Sequence, residues 1–383
     1  MAVLVSSTRL GVSSCFRDFL ELLGQENRSL PLWRKINGSR EHYFPQAAFI
    51  TDALMGTSIA LTSLRLKQIL KRQKDPGWDA SYVPSTLAVR GEAPSISHAH
   101  IINCAKLANR DLHLLSNSEL AATLLGLYHP RTVGLQEQRM LSPAPKAHPL
   151  ANFPGCIAGG LPPLRGMVAV AERLNCLKVL PRIWVDDVNC ERGKREIIFP
   201  HIGDLLWAIR APTGQVYCVN WSVKDSEEAF KRPFDYKRIS RSKLLFPAEI
   251  QTRHELERVY YADAGIRTVH VAGSEIDKHV TSNLRLLFLR HKRSVSLSAL
   301  EQSDLIARFR TCLDTGLPPL HVIARVAGDG LSVEDCCNVF YQSIWRRTLR
   351  VDLFHPVLID RPLRRENEDV LARYAGWFEE KPC

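Results

Sequence analysis

An acidic residue and a lysine stand at corresponding ends of two predicted neighbouring strands. Asp204 begins the run Asp204–Arg210, and Lys224 ends the alternating run Val216–Lys224. The residues Ala211–Gly214 between the runs favour a turn, so the strands are predicted to pair as a hairpin. A hairpin would bring the carboxylate and the ammonium group together, an arrangement that metal-dependent nucleases use to hydrolyse phosphodiesters. An ordinary surface hairpin is the alternative, because short motifs often occur by chance.

Side-chain alternation divides the second of these strands into two faces. Val219, Trp221 and Val223 form an apolar face that is predicted to pack. The opposite face ends in Ser222 and Lys224, so we expect it to be hydrated and open to chemistry.

A magnesium site needs more than one carboxylate, because Mg²⁺ prefers oxygen ligands and keeps several of its waters. The second candidate is Glu119, in the segment Leu114–Leu125. The sequence Ser116-Asn-Ser-Glu119 is also typical of a capping box, in which the glutamate bonds back to the start of its helix. From the residues alone, capping is the favoured role of Glu119 and metal binding is the alternative.

The composition indicates a basic globular protein. The 383 residues include 51 Lys and Arg against 40 Asp and Glu, which gives a net charge of +11. Such a balance favours a polyanionic partner, most often nucleic acid, although a merely basic enzyme also fits. The hydrophobic content of 45% suffices for two or three domains. The ten cysteines include no Cys-x-x-Cys pair, so we expect reduced, buried thiols rather than disulfides or a zinc site.

Neither a secretory leader nor a transmembrane segment is expected. The N-terminus lacks a charged start followed by a long apolar run. No stretch approaches the roughly 20 apolar residues of a membrane span. These features predict a soluble, cytoplasmic protein with no membrane partner.

Changes of pattern predict three regions. Residues 1–90 favour a helical N-terminal region, with helices at Cys15–Gly24 and Ala53–Arg72. Residues 91–290 begin with a linker to about residue 110 and then mix strands and helices, which is typical of an α/β layer fold. A loop rich in proline and glycine occupies about residues 143–163. The elements predicted in this region are 118–128, 133–140, 180–185, 196–199, 204–210, 216–224, 248–263, 267–272 and 277–289.

Residues 295–383 predict a separate C-terminal domain. Three helices, Ser298–Leu313, Leu320–Val326 and Ser332–Arg347, precede two short strands that turn at His355-Pro356. This order is typical of a winged-helix domain, and a generic helical bundle fits about as well. The region has slightly more acidic than basic residues, so protein docking fits at least as well as DNA reading.

A basic segment follows the lysine strand, with Phe234 and Tyr236 interleaved among Lys and Arg. Contacts with the DNA backbone are the favoured interpretation, and a solvated loop is the alternative. The predicted DNA-contacting residues are Lys231, Arg232, Lys237, Arg238, Arg241 and Lys243.

Five short segments, in order along residues 114–290, carry a resemblance to one family. They are Leu115–Ala121, Val133–Gln138, His201–Leu206, the pair His254–Tyr261 and Gly265–Ala272, and Glu275-Ile followed by Asn283–Leu287. Together they resemble TnsA, the endonuclease subunit of a heteromeric DNA transposase. The resemblance implies a restriction-endonuclease-like core of the PD-(D/E)xK type, followed by a winged-helix-like domain.

The same resemblance implies roles for the candidate residues. Glu119 and Asp204 would hold Mg²⁺ or Mn²⁺, and Lys224 would be the catalytic lysine. The residue two before that lysine is normally Glu or Gln in the family, and here it is Ser222, a shorter ligand that a water would have to bridge. Asn220, on the same strand face, is an alternative oxygen donor.

Four further residues are candidates for supporting roles. His201 matches the family and would orient Asp204 or contact phosphate, although an unimportant surface histidine fits almost as well. Glu137, Glu255 and Glu257 would support a second metal or form salt bridges, and the structural role is favoured for each.

The activity implied is cutting of the 5′ ends of a bacterial transposon in double-stranded DNA. The implied partners are a TnsB-like DDE transposase, which handles the 3′ ends, and a TnsC-like AAA+ ATPase bound through the C-terminal domain. Two alternatives remain open. One is a nuclease-fold adaptor that clamps transposon ends with a weakened metal site, and the other is a stand-alone repair or restriction-type nuclease.

Overall fold

The computed structural model describes residues 61–94, 97–156, 159–186, 193–231 and 247–380. The predicted helix Cys15–Gly24, the first part of Ala53–Arg72 and most of the basic segment after residue 231 lie outside these ranges. No helix within the described ranges has both the length and the apolar character needed to cross a membrane.

The described chain contains both helices and strands. In order they are α1 (Ser63–Arg72), β1 (His100–Cys104), β2 (Arg110–Leu114), α2 (Asn117–Tyr128), β3 (Thr132–Met140), α3 (Met167–Arg173), β4 (Arg182–Asp186), β5 (Lys194–Ile198), β6 (Ile202–Arg210), β7 (Val216–Lys224), α4 (Glu227–Lys231), α5 (Pro247–Ala262), β8 (Arg267–Ala272), α6 (Lys278–Arg290), α7 (Ala299–Thr315), α8 (Pro319–Gly328), α9 (Val333–Trp345), α10 (Val370–Arg373) and α11 (Ala375–Phe378). The elements predicted between residues 118 and 347 are therefore confirmed, with ends that shift by a few residues.

A four-stranded sheet in the order β3-β6-β7-β8 forms the centre of the fold. β6 is antiparallel to both β3 and β7, whereas β8 runs parallel to β7. The predicted hairpin is confirmed, since Leu205 pairs with Trp221 and Arg210 with Val216. The mixed α/β class is also confirmed, because helices cover both faces of this sheet.

Two hydrophobic clusters lie on opposite faces of the sheet. One contains Trp207 and Trp221 together with α2, α6 and the C-terminal helices. The other contains Cys218 and Tyr260, with α3 and α5. The face that ends in Ser222 and Lys224 was expected to be hydrated. This expectation is wrong for Cys218, Asn220 and Ser222, which are buried, whereas Lys224 is partly exposed.

Residues 90–110 are not the predicted linker. They contain β1 and the start of β2, which pair as an antiparallel hairpin with His100 opposite Leu114. A short 3-10 helix, Ala105–Leu107, connects the strands, and Ala108 and Asn109 adopt the left-handed conformation. Strands of five residues give too short an alternation for sequence reasoning to detect.

The cysteine prediction agrees with the structure where it describes them. Buried positions hold the cysteines at 104, 176, 218, 312, 336 and 337, and Cys156 is half-buried. Cys15, Cys190 and Cys383 lie outside the described ranges.

The three C-terminal helices are confirmed as α7, α8 and α9, but the β-wing is wrong. Residues 349–360, all of which the structure describes, form no strand. The buried side chain of Asn283 instead holds this segment, because its Nδ2 donates to the carbonyls of Leu353 and His355, both at 2.8 Å. Its Oδ1 accepts the N–H of Val357 at 3.0 Å. Backbone groups satisfied in this way need no strand partner.

The boundary predicted near residue 290 stays a prediction. The same hydrophobic cluster that contains Trp221 of the sheet also contains Phe309 and Phe340 of the C-terminal helices. The terminal segment adds direct bonds, since Trp221 Nε1 donates to the carbonyl of Trp377 and Tyr217 Oη to that of Phe378, both at 2.8 Å. The C-terminal region therefore packs directly on the central sheet.

Asn283→Ala is expected to lower the free energy of unfolding by about 2–4 kcal/mol. The change leaves two carbonyls and one N–H without their buried partner. Urea denaturation of the variant and of Ser282→Ala measures the difference. Ser282 is the exposed neighbour on the same helix, so its change should be nearly neutral. Equal effects of the two changes would mean that Asn283 does not hold the C-terminal segment.

Candidate metal and phosphate site

Asp204 and Lys224 meet at one end of the sheet. The pairing of Leu206 with Asn220 sets a register in which Asp204 lies opposite Ser222. Asp204 Oδ2 accepts the N–H of Val223 at 2.7 Å and lies 3.7 Å from Lys224 Nζ. Lys224 Nζ also donates to the carbonyl of Val223 at 3.0 Å. Both charged side chains are partly exposed, so a solvent-borne anion can reach them.

Glu119 reaches the same site from the first turn of α2. The hydroxyl of Ser116 caps the helix by accepting the N–H of Glu119 at 3.0 Å. The carboxylate Oε2 accepts from the N–H of Leu115 at 2.9 Å and from Gln138 Nε2 at 3.0 Å. The predicted capping box is therefore formed only in part, because the glutamate bonds to Leu115 and not to the N-cap residue. Its carboxylate remains close enough to Asp204 for their charges to interact.

Two further carboxyl groups, those of Glu119 and Glu257, lie close enough to Asp204 for their charges to interact. Burial and then repulsion by Asp204 raise the pKa of Glu119 to about 8, although Leu115 and Lys224 oppose the shift. Burial and then Asp204 also raise the pKa of Glu257, on the neighbouring helix α5. The three carboxyl groups of Glu119, Asp204 and Glu257 therefore interact electrostatically, and Lys224 supplies positive charge close to them. A bound cation would offset the repulsion between them.

The donor atoms fit a hard divalent cation. Glu119 and Asp204 offer carboxylate oxygens, which Mg²⁺ and Mn²⁺ prefer over nitrogen or sulfur. Within the described ranges, no set of three or more His, Cys, Asp and Glu side chains is arranged to hold a metal ion. An ion here would be held by these two carboxylates, with water and phosphate oxygens completing its shell, as is usual for Mg²⁺.

Gln138 is a site residue that the sequence did not identify. The flanking pairs Glu137–Leu205 and Arg139–Gly203 leave it opposite Asp204 on β3. It adopts the left-handed conformation, with φ of 49°, and its amide bonds to Glu119. No simple pattern predicts a left-handed glutamine within a strand, since the conformation is rare outside Gly, Asn and Asp.

A hydrogen bond connects the start of α2 to Asp225, the residue that follows β7. Ser118 Oγ donates to Asp225 Oδ1 at 2.6 Å, and the carbonyl of Asp225 accepts the N–H of Ser274 at 3.0 Å. Gly273 allows the close approach, because a Cβ there would lie 2.4 Å from Ser118 Oγ. This contact sets the position of Glu119 relative to Lys224.

Two of the weaker candidates are buried beside the site. Ser222 is only 2% exposed, so the water that would have to bridge it to a metal has little room. Asn220 Nδ2 donates to Glu257 Oε1 at 2.9 Å, and its Oδ1 has no hydrogen-bond partner among the described residues. Asn220 therefore retains an unused oxygen, but it lies two residue pairs further into the sheet than Asp204.

The remaining supporting residues have structural contacts. Glu137 forms a buried two-bond ion pair with Arg110, at 2.8 and 2.6 Å. Glu255 pairs with Arg258 on the helix surface. Both acids thus form the salt bridges of the structural alternative, and their role stays a prediction. His201 is half-buried, and burial lowers its pKa to about 3; its Nε2 has no partner within the described ranges. That nitrogen therefore does not orient Asp204.

The DNA-contacting residues can be checked at one position. Lys231, at the end of α4, is exposed and forms an ion pair with Glu227 at 3.0 Å. The other five, Arg232, Lys237, Arg238, Arg241 and Lys243, lie outside the described residues. Their role stays a prediction.

Sequence comparisons assign no family. The chain matches no protein-family model, and a search of curated proteins gives no match either. The resemblance to TnsA thus depends on the five short segments alone.

Glu119→Gln is expected to stabilise the metal-free protein at pH 8 but not at pH 4. The native state keeps its proton up to a pKa of about 8, whereas an ordinary glutamate loses it near 4.5. The contribution of Glu119 is therefore complete below pH 4.5 and is lost as the pH rises through about 8. The gain from the amide should reach on the order of 1–3 kcal/mol by pH 8.

Urea denaturation across this pH range measures the effect. Glu255→Gln is the matched control, because the hydrogen bond from Arg258 lowers the pKa of that exposed carboxyl. Parallel stability profiles for wild type and Glu119→Gln would contradict the account, since the pKa of Glu119 would then be the same in the folded and unfolded states.

Gly273→Ala is expected to cost about 1–3 kcal/mol, because the new methyl group meets Ser118 and must push α2 away. Gly328→Ala is the control, since its Cβ would meet open space. Thermal or urea denaturation compares the two variants. If both changes are equally mild, the contact between α2 and the end of β7 is not tight.

Proposed function

We propose that this protein is a metal-dependent DNA endonuclease. The observation that carries the proposal is the meeting of Asp204 and Lys224, 3.7 Å apart, with the buried carboxylate of Glu119 in the same electrostatic field. The sheet order and the N-terminal position of Glu119 on its helix are compatible with the restriction-endonuclease-like core that the motifs imply. The excess of basic residues also favours a polyanionic substrate.

The side chains divide the work of phosphodiester hydrolysis. Glu119 and Asp204 would hold a divalent cation, which when bound supplies positive charge to a phosphate oxygen. Lys224 is partly exposed and can hydrogen-bond both a phosphate oxygen and the attacking water. Its ammonium group would stabilise negative charge that develops on the phosphate. The bond from Val223 to Asp204 fixes the carboxylate before substrate arrives.

The substrate and partners of the proposal come from the resemblance to TnsA. The chain would cut the 5′ ends of a bacterial transposon in double-stranded DNA. A TnsB-like DDE transposase would process the 3′ ends, and a TnsC-like AAA+ ATPase would regulate both. The C-terminal region is the proposed docking site of the ATPase, because it carries no basic excess for DNA.

One observation favours a second candidate, a DNA-end adaptor with a weakened metal site. Ser222 stands where the family has Glu or Gln, and it is 2% exposed. An adaptor would bind transposon ends and its partners without cutting DNA.

Asp204→Ala and Lys224→Ala are expected to reduce DNA strand cleavage by roughly 100-fold or more. The measurement is nicking of end-labelled transposon DNA with Mg²⁺ or Mn²⁺, in the presence of the transposase and the ATPase. Loss of a metal ligand or of the ammonium group removes stabilisation of charge on the phosphate.

Asp360→Asn and Lys178→Ala are the matched controls, because both residues are exposed and neither is at the site. The controls should cut 5′ strands as wild type does. Cleavage that survives both site changes would overturn the proposed mechanism. Wild-type protein that assembles on DNA ends but never cuts them would favour the adaptor.

A further inference from the structure

A cavity of about 390 Å³ lies beside the candidate site, between α4, α5 and β8. Three ring side chains define it: Phe230 from α4, His254 from α5 and His270 from β8. We refer to this cavity as the ring pocket. Its volume falls within the range of about 300–1,000 Å³ that is usual for sites of small organic ligands.

The rings form a stacking surface. Phe230 and His270 are parallel, with centroids 4.5 Å apart and an interplanar angle of 10°. His254 meets both rings edge-on, at 5.4 and 5.3 Å. Phe230 is buried, whereas His270 is exposed. One face of the His270 ring is thus supported by Phe230, and the residue as a whole remains exposed to solvent.

The ring pocket opens next to the reacting groups. In the parallel pairing of β7 and β8, Ser222 lies beside His270, and Lys224 lies beside Ala272, which lines the pocket. Burial lowers the pKa of His254 to about 4 and also that of His270, and the charge of Lys224 adds to both shifts. Both imidazoles are therefore neutral near pH 7, which suits stacking.

The rim does not favour a phosphate. Lys231 is paired with Glu227 at 3.0 Å, and Arg258 with Glu255 at 2.6 Å. Glu275 adds a further carboxylate to the lining. The same two pairs also engage Glu227 and Glu255, so among the described residues Glu275 is the lining carboxylate that no ion pair engages. Carboxylates accept from amino groups such as N4 of cytosine, and they face repulsion from the carbonyl oxygens of thymine.

We propose that the ring pocket binds an unpaired cytosine or adenine base of the DNA next to the phosphate held at Asp204 and Lys224. The base would stack on His270, and a rim carboxylate, with Glu275 the leading candidate, would accept a hydrogen bond from its amino group. This inference rests on the proposed nuclease function, because it assumes that DNA occupies the neighbouring site. The inference specifies the DNA substrate further, as a distorted or frayed DNA end and not an intact duplex.

The test is DNA affinity without divalent metal, measured by fluorescence anisotropy. The probes are labelled duplexes with one unpaired cytosine, one unpaired adenine, one unpaired thymine or none. Wild type is expected to prefer the unpaired cytosine and adenine probes over the paired duplex by on the order of tenfold, as stacking of one base allows. His270→Ala should abolish the preference, and His270→Phe, which keeps a stacking ring, should retain it.

Two further variants complete the design. Glu275→Gln should reduce the discrimination of cytosine from thymine while leaving stacking intact. His321→Ala, at an exposed position on α8, is the control and should behave as wild type. A wild type without preference, or a preference unchanged in His270→Ala, overturns the ring-pocket inference. Because the assay needs no cleavage, protein that shows the preference but never cuts DNA would refute the nuclease function alone.

Discussion

The repulsion between Glu119 and Asp204 is the constraint on which the rest of the site depends. The carboxyl group of Glu119 is buried at the start of a helix. Asp204 lies near the end of the central strand β6, with Lys224 3.7 Å away. Burial of charge without compensation is unfavourable. In the empty protein Glu119 avoids this cost by keeping its proton up to a pKa of about 8, and a bound cation would take the place of that proton. This is the physical reason for interpreting the cluster as a functional site and not as a stabilising one.

The surrounding structure keeps the opposed carboxylates in place. Gln138 holds Glu119 from the strand opposite Asp204, and the N–H of Val223 holds Asp204 itself. The bond between Ser118 and Asp225 ties the helix to the strand that carries the lysine. These contacts come from four separate elements, so the site exists only when the sheet and α2 are assembled. The C-terminal segment contributes indirectly, because it packs on Trp221 behind the same strand.

Local patterns in the sequence predicted most of the fold. The alternation in 216–224 fixed the hairpin, and amphipathic runs with capping residues located the helices. What failed depends on tertiary contacts. The β-wing was predicted from local apolar runs, but Asn283 satisfies that backbone from a distant helix. The strand face that ends in Ser222 and Lys224 was expected to be hydrated. The sequence of the strand does not reveal that α5 lies over this face and that Glu257 contacts Asn220.

The candidate site was also predicted only in part, because tertiary contacts bring some of its residues together. Asp204 and Lys224 could be paired by a local turn, and Glu119 was placed with them only through the resemblance to TnsA. Gln138 could not be assigned, since its role depends on a left-handed backbone within β3. The ring pocket was also missed, because Phe230, His254 and His270 come from three consecutive elements whose packing against one another no local pattern predicts.

The most direct test of the central claim is anomalous diffraction from crystals of this protein soaked in Mn²⁺. The account predicts one strong peak within bonding distance of carboxylate oxygens of both Glu119 and Asp204. The peak should disappear in crystals of Asp204→Ala. Saturating Mn²⁺ that leaves this position empty, or binds only elsewhere on the surface, would contradict the assignment of these carboxylates as a metal site.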